Sequence, residues 1–346
     1  TVQSASSDPI LLLQALVMAA FRDKLIVVLV TAILILAVYD SQYQQVQLYE
    51  PSVSSSKQLR PTYRLSGRYL AIMPLDGSVG RLGNFCFRYA AALGIAERNN
   101  MTLVLPDNEL VRNLRDIFQI TAPLDTEIPF MNLIKFKDFR EEHWGIYDSR
   151  LNHLPLGNIR LVWSYTQSWK YFYRIRDKVR KELTFQPPIL HEAKQAVRQI
   201  KTDYNVDTAI GVHVRRGDFL LPVHSSWGYA VATAAYFDMA TKTFTEKYGT
   251  NIVFIVASDD TNWCKENINF HGAKSHYLVN RTIVQDLSLL TQTDHHLLSV
   301  GTFSWWSAWL GQGTVLYYKN FPTPGSNHSR NHNPIDYYPH DWYPLP

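Results

Sequence analysis

The sequence predicts an α/β protein with two Rossmann-like domains, and three observations support this fold class. The chain has 346 residues, of which 46% are hydrophobic and 18% charged, so it can form two packed cores. From residue 69 onward, a strand, a glycine-containing loop and an alanine-rich helix follow one another. From residue 187 onward, apolar β-branched strands alternate with helices. Such alternation is typical of parallel sheets covered by helices.

The N-terminal segment predicts membrane attachment. The run Leu25 to Tyr39 is uninterrupted and apolar, although it is shorter than the roughly 20 residues that a typical bilayer requires. Arg22 and Lys24 precede it, which favours a cytosolic segment 1–24, a signal anchor at 25–39 and a lumenal remainder. A cleaved signal peptide and a buried core helix are the alternatives. A stem is expected at 40–67 because this segment is rich in Ser, Gln, Pro and Tyr without a period.

The first domain is expected at 68–186. It begins with a strand at 69–74, continues through a loop with Gly77, Gly80 and Gly83, and enters a helix at 84–96. A second strand is expected at 102–106, and the stretch from there to residue 167 shows no clear pattern. The glycine spacing differs from the dinucleotide fingerprint, so NAD is not predicted.

The second domain is expected at 187–346, where Pro187 and Pro188 open a helix. Thr302 or Ser304 is expected to cap a later helix that ends at Gly311. The remaining predicted elements are strands at 209–214, 251–257, 274–279, 296–300 and 314–318 and helices at 234–248 and 286–293.

Polar residues follow these strands at what should be a single edge of the sheet. The three loops hold Arg215, Arg216 and Asp218, then Asp259 and Asp260, then Thr302, Phe303 and Ser304. Paired guanidinium groups and a helix N-terminus suit a pyrophosphate, because guanidinium N–H groups and backbone N–H groups both donate hydrogen bonds to phosphate oxygens. The loops therefore predict a nucleotide-diphosphate site. A solvated turn or an adhesive Arg-Gly-Asp tripeptide would be the ordinary alternatives for the arginine loop alone.

Several neighbouring residues have open roles. His213 is expected to orient the loop from within the strand, and Asp218 could act as a general base or could hold the arginines. Trp305 and Trp306 could be core residues or could stack on the ligand. No Asp-x-Asp element is present to hold a divalent cation, so no metal is predicted. Cys86 and Cys264 leave a single disulfide open.

The net charge of +4 and a pI of about 8.8 suit an anionic small ligand but are too diffuse to indicate nucleic acid. Three sequons would be usable if the domain is lumenal. Their asparagines are Asn100, Asn280 and Asn327.

Four motifs resemble those of the α1,2-fucosyltransferases of glycosyltransferase family eleven, in the family's order. They are His213-Val214-Arg215-Arg216-Gly217-Asp218, Gly80 to Asn84, Trp263 to Ile268, and Gly301 to Leu310. The resemblance implies a Golgi type II membrane enzyme with two Rossmann-like domains in the GT-B arrangement. It implies inverting, metal-independent transfer of L-fucose from GDP-fucose to the 2-hydroxyl of a terminal galactose on a glycan. Asn84-Phe85-Cys86 departs from the family's usual Asn-Gln-Met, which affects the acceptor side more than the donor side.

The same resemblance assigns roles to the candidate residues. Arg215 and Arg216 would hold the pyrophosphate and, with Asp218, form the candidate catalytic group. A glycan-binding protein without activity and a transferase for another nucleotide sugar are the alternative functions. Donor contacts would also come from His213, Asp259, Asp260, Thr302, Phe303 and Ser304, and the acceptor side from Gly80, Arg81, Gly83 and Asn84.

Overall fold

The computed structural model describes residues 67–73 and 80–346. The expected anchor at 25–39, nearly all of the expected stem and Gly77 lie outside these residues. Within the described ranges, none of the helices combines the length and apolar character needed to cross a bilayer.

The first sheet has four parallel strands in the order β2-β1-β4-β3. The expected first strand and helix are confirmed, and the helix extends beyond both expected ends. Strands β3 and β4 lie in the stretch that the sequence left unassigned. The elements are β1 (Tyr69–Met73), α1 (Leu82–Arg98), β2 (Thr102–Val104), α2 (Glu109–Ile117), β3 (Phe136–Phe139), β4 (Asn158–Val162) and α3 (Arg176–Glu182).

The second sheet has six parallel strands in the order β10-β9-β8-β5-β6-β7. Its elements are α4 (Pro187–Tyr204), β5 (Thr208–Val214), α5 (Pro222–Trp227), α6 (Ala234–Tyr248), β6 (Ile252–Ser258), α7 (Thr261–Asn267), β7 (Lys274–Tyr277), α8 (Ile283–Leu290), β8 (His295–Leu298), α9 (Thr302–Leu310), β9 (Val315–Tyr318), α10 (Pro334–Tyr337) and β10 (Tyr343–Leu345).

Both sheets contain a point where the strand order reverses. In the second sheet, β5 is the first strand along the chain and pairs with the second and the fourth, which is the order of the doubly wound Rossmann sheet. In the first sheet, the corresponding reversal lies between β1 and β4. Ligands of open α/β sheets bind at such points, beyond the carboxyl ends of the strands.

Two further helix starts differ from expectation. Helix α8 begins at Ile283, before the expected 286, because Thr282 and Gln285 form a capping box. The expectation that Thr302 or Ser304 caps α9 is wrong. Gly301 is the cap residue, at φ +89, and both side chains lie inside the helix without a capping hydrogen bond. Only glycine adopts that backbone conformation at little cost.

A shared aromatic core joins the two halves. Helix α1 is buried on nearly every side, and Phe87 lies 4.4 Å from Trp305 and 5.1 Å from Trp306 between ring centroids. Trp305 and Trp306 are 1% and 0% exposed, so the suggestion that they stack on a ligand is wrong and the core interpretation holds. All described residues belong to one compact unit. The domain boundary at 186/187 stays a prediction.

Candidate nucleotide-diphosphate site

Three loops meet at the carboxyl edge of the second sheet, as the sequence predicted. The backbone N–H of Arg215 donates to Ser299 Oγ at 2.8 Å, which ties the loop after β5 to the loop after β8. Ser258 Oγ donates to the Val214 carbonyl at 2.9 Å, which ties β6 to the same strand end. The loops are thus fixed to one another by hydrogen bonds at the reversal point.

The Arg215 guanidinium lies between two carboxylates. It donates through one terminal nitrogen to Asp218 and through the other to Asp259. Its carbon lies 5.3 Å from the centre of the Phe219 ring, and its side chain is 18% exposed. The fork is therefore held in one orientation while part of it still faces solvent.

Arg216 is oriented by a different set of groups. Its guanidinium carbon lies 3.8 Å from the centre of the Trp263 ring, and its Nε donates to Asp260 Oδ2 at 3.3 Å. Its backbone N–H donates to Asp259 Oδ1 at 2.9 Å. Asp260 also accepts from the Trp263 N–H at 3.1 Å and so caps α7. Both aspartates thus position the arginine pair in this structure.

His213 and Ser304 connect β5 to α9 below the surface. His213 Nδ1 lies 2.5 Å from Ser304 Oγ, which itself donates to the Val300 carbonyl at 3.1 Å. Because the Ser304 hydroxyl hydrogen is assigned to the Val300 carbonyl, His213 Nδ1 is assigned as protonated and donates to Ser304 Oγ. Burial, assisted by the Arg215 charge, lowers the pKa of His213 to about 3. The imidazole is neutral near pH 7, in agreement with its expected orienting role.

The N-terminus of α9 faces the glycine loop of the first sheet. A Cβ placed on Gly83 would lie 2.6 Å from Thr302 Oγ1 and 2.9 Å from the Phe303 backbone nitrogen, so only glycine permits this approach. The first-turn N–H groups of a helix have no partner within the helix and carry partial positive charge. The start of α9 is therefore packed against α1, and the loop that leads into it is tied to the Arg215 loop through Ser299.

Arg81 joins the cluster from the first half of the chain. Its guanidinium donates to Asp218 Oδ2 at 2.8 Å, so Asp218 links Arg81 with Arg215. Partial burial and repulsion from Arg215 lower the pKa of Arg81, although Asp218 opposes the effect. The sequence placed Arg81 on the acceptor side, whereas the structure brings it to the expected donor loops.

Asn84 marks the other side of the glycine loop. Its Oδ1 accepts a hydrogen bond from Gln167 Nε2 at 3.0 Å. Sequence reasoning did not single out Gln167. Gly80 has φ +106, and a Cβ there would lie 1.9 Å from Asn84 Nδ2. The loop therefore connects the arginine cluster with the segment that follows β4.

The remaining predicted residues lie elsewhere. The sequon residues Asn100, Asn280 and Asn327 are exposed. Cys86 and Cys264 are free and buried, each in a separate apolar cluster, so the disulfide left open by the sequence is not formed. Burial raises the pKa of Cys264 to about 11. Over residues 67–73 and 80–346, no group of three or more His, Cys, Asp or Glu is arranged to hold a metal ion.

The doubly wound sheet, the oriented guanidinium groups at its reversal point and the adjoining helix N-terminus are the features expected of a nucleotide-diphosphate-binding protein. A family comparison gives the particular class. The model described as Glycosyl transferase family 11 matches residues 73–345, and the chain belongs to this family. It is a glycosyltransferase.

Several named relatives match most of the chain. Galactoside alpha-(1,2)-fucosyltransferase 2 of Mus musculus is 29% identical over 89% of this chain and 86% of its own length. The Rattus norvegicus protein of the same name is 31% identical over 78% of this chain and 75% of its own length. Galactoside 2-alpha-L-fucosyltransferase SEC1 of Bos taurus is 30% identical over 71% and 67%, respectively.

Similar solved structures are more distant. NodZ alpha-1,6-fucosyltransferase soaked with GDP-fucose has a TM-score of 0.45 and 13% identity, and covers 71% of this chain and 93% of its own. A variant of Arabidopsis thaliana FUT1 in complex with GDP has a TM-score of 0.46 and 13% identity over 88% and 80%.

Proposed function

We propose that the protein transfers L-fucose from GDP-fucose to the 2-hydroxyl of a terminal galactose on a glycan. The relatives named as galactoside α1,2-fucosyltransferases support the proposed substrates, since each is about 30% identical to this chain over most of its length. The observation that carries the donor side is the arginine pair at the reversal point of the second sheet.

The positive groups at this site would act on the leaving GDP. As the bond between fucose and the diphosphate breaks, negative charge grows on the phosphate oxygens. Arg215, Arg216 and the N–H groups at the start of α9 are oriented beforehand, so they stabilise this charge without rearranging. This arrangement supports a direct, inverting displacement that needs no metal ion. The two parallel sheets, each with a ligand edge, suit the GT-B arrangement.

The acceptor hydroxyl needs a group that removes its proton. Asp218 remains a candidate, but it contacts Arg81 and Arg215 in this structure. Both of its carboxylate oxygens already accept a hydrogen bond from a guanidinium group, an arrangement that suits holding the arginines in place. Positioning of the arginines is therefore the role that we propose for Asp218.

We also propose that the enzyme is a single-pass type II protein of the Golgi membrane, anchored by 25–39. Retention with membranes after a carbonate wash, together with a loss of apparent mass after glycosidase treatment, is the expected result. Full release of the protein into the medium with cleavage near Tyr39 would contradict the anchor.

The test of the activity is incubation of the purified protein with GDP-fucose and a β-galactoside, followed by determination of the product linkage. An α-linked fucose on the galactose 2-hydroxyl is expected, with activity retained in EDTA and inhibited by GDP. GDP binding without turnover on a panel of galactosides would instead indicate a glycan-binding protein. Failure of GDP to inhibit would indicate another nucleotide sugar.

A further inference from the structure

The segment after β4 occupies the reversal point of the first sheet. Trp163 directly follows β4, and its backbone N–H donates to the Met73 carbonyl at the end of β1 at 3.0 Å. The segment Trp163 to Gln167, here called the switch loop, therefore lies at the first sheet's equivalent of the site where the second sheet carries Arg215.

The backbone of the switch loop is strained. Trp163 has φ +51 and Thr166 has φ +49. For bulky or β-branched residues this conformation is an outlier, and such strain persists only where surrounding contacts impose it. Strain of this kind is concentrated at functional sites.

The buried side chain of Glu141 imposes this conformation. Glu141 accepts from the backbone N–H of Tyr165 and, at 2.9 and 3.0 Å, from that of Thr166. Glu141 is 6% exposed, so its carboxyl group contacts the loop and not the solvent. The Gln167 N–H donates to the Trp144 carbonyl at 2.9 Å, which fixes the other end.

The result is a fixed loop that presents an exposed aromatic ring. Trp163 is 56% exposed, although tryptophan is highly buried on average. A rigid indole loses little conformational entropy when it binds, and its face suits the C–H groups of a sugar ring. Its neutral surface suits an uncharged ligand and distinguishes it from the charged arginine cluster.

The switch loop is also connected to the arginine cluster. Gln167 donates to Asn84 at 3.0 Å, and the same helix α1 carries Gly83 against Thr302. A second route consists of aromatic contacts: Trp144 lies 4.5 Å from His328, which lies 4.4 Å from Tyr229, between ring centroids. Tyr229 lies 4.7 Å from Phe219, beside the arginine loop.

We infer that Trp163 is the stacking platform for the acceptor sugar and that Glu141 positions it. This inference rests on the proposed function and assigns the neutral galactoside to the first sheet, opposite the nucleotide on the second. An exposed tryptophan that instead binds another macromolecule is the competing explanation.

The experiment compares Trp163→Ala with Trp163→Phe and with Tyr343→Ala. Tyr343 begins β10, is 59% exposed, and lies at the amino edge of its sheet, so it is the matched exposed-aromatic control. Transfer to lactose and acceptor-independent release of GDP from GDP-fucose are measured for each protein. Loss of the ring should raise the acceptor KM at least about fivefold, since stacking on an aromatic ring contributes about 1–3 kcal/mol for nucleic-acid bases.

The expected pattern is specific to the acceptor. Trp163→Ala should leave the donor KM and the GDP release rate within about twofold of wild type, Trp163→Phe should restore most of the acceptor affinity, and Tyr343→Ala should change neither. An unchanged acceptor KM in Trp163→Ala would overturn the inference while leaving the proposed function intact. A wild-type protein that releases GDP but fucosylates no galactoside would overturn both.

Discussion

The contact between Gly83 and the start of α9 gives a prediction in which two physical effects oppose each other. Gly83 lies in the first turn of α1, where replacement of glycine by alanine ordinarily stabilises a helix by up to about 1 kcal/mol. In this structure a Cβ at that position would lie 2.6 Å from Thr302 Oγ1, 2.7 Å from the Thr302 carbonyl carbon and 2.9 Å from the Phe303 nitrogen. Two of these atoms belong to the backbone, so the helices themselves must separate.

We therefore expect Gly83→Ala to destabilise the protein despite the gain in helix propensity. Overpacking of a close contact costs typically about 1–3 kcal/mol. For a chain of this size each kcal/mol lowers Tm by roughly 1–2 °C, since the entropy of unfolding is about 2.1 cal/mol/K per residue. Because displacement of α9 also moves the donors expected to bind the diphosphate, kcat/KM for GDP-fucose should fall at least about tenfold, and a displacement of 1 Å can cost about a hundredfold.

The assays are thermal unfolding and initial rates of transfer, with Gly67→Ala as the control. A Cβ on Gly67 would have its nearest neighbour, Thr102 Oγ1, at 4.0 Å, so this change should stay within about 0.5 kcal/mol. A Gly83→Ala protein that unfolds at the wild-type temperature or higher, with an unchanged transfer rate, would show that α1 and α9 are not packed as the structure indicates.

Three further predictions concern the charged residues. In steady-state kinetics, Asp218→Asn should raise the donor KM about three- to tenfold with kcat nearly unchanged, because the carboxylate positions Arg215. A large fall in kcat at unchanged donor KM would instead identify Asp218 as the general base. Arg216→Lys should lose most of the activity, because an ammonium group cannot reproduce the flat contact with Trp263; near-normal rates would refute this role. Burial raises the pKa of Glu141 from 4.5 to about 8, so the folded protein binds the extra proton between these values and loses stability as the pH rises through them. Between pH 5 and 8, the free energy of unfolding in urea should fall with rising pH by up to about 1.4 kcal/mol less per pH unit in Glu141→Gln than in wild type. An identical pH dependence of the free energy of unfolding in both proteins would contradict this role of Glu141.

The second half of the fold could be predicted well from the sequence. Its strands are buried on both faces and therefore appear as continuous apolar runs, as in Ile252–Ser258, and α6 was predicted with its observed bounds because Gly249 ends it. Strand β3 escaped notice because it is short and none of its four residues is buried. Its pattern therefore contains no apolar face that could indicate a strand.

The donor side of the site was likewise accessible to sequence reasoning, since Arg215 and Arg216 follow a recognisable strand. The contribution of Arg81 was not, because it depends on the packing of α1 against α9. The conformation of Trp163 was equally hidden. Its positive φ is held by hydrogen bonds that the switch loop donates to Met73 and Glu141, both more than twenty positions away, so the local sequence carries no signal for it.

The most direct test of the central claim, that the arginine pair holds the nucleotide's diphosphate, is a calorimetric comparison of GDP with guanosine. Wild-type protein should bind GDP at least about a hundredfold more tightly than guanosine, since charge-assisted hydrogen bonds contribute about 1.5–3 kcal/mol each. In Arg215→Lys and Arg216→Lys this advantage should shrink by at least about tenfold while the affinity for guanosine stays the same. If both variants kept the full advantage of GDP over guanosine, the diphosphate would have to bind elsewhere on the protein.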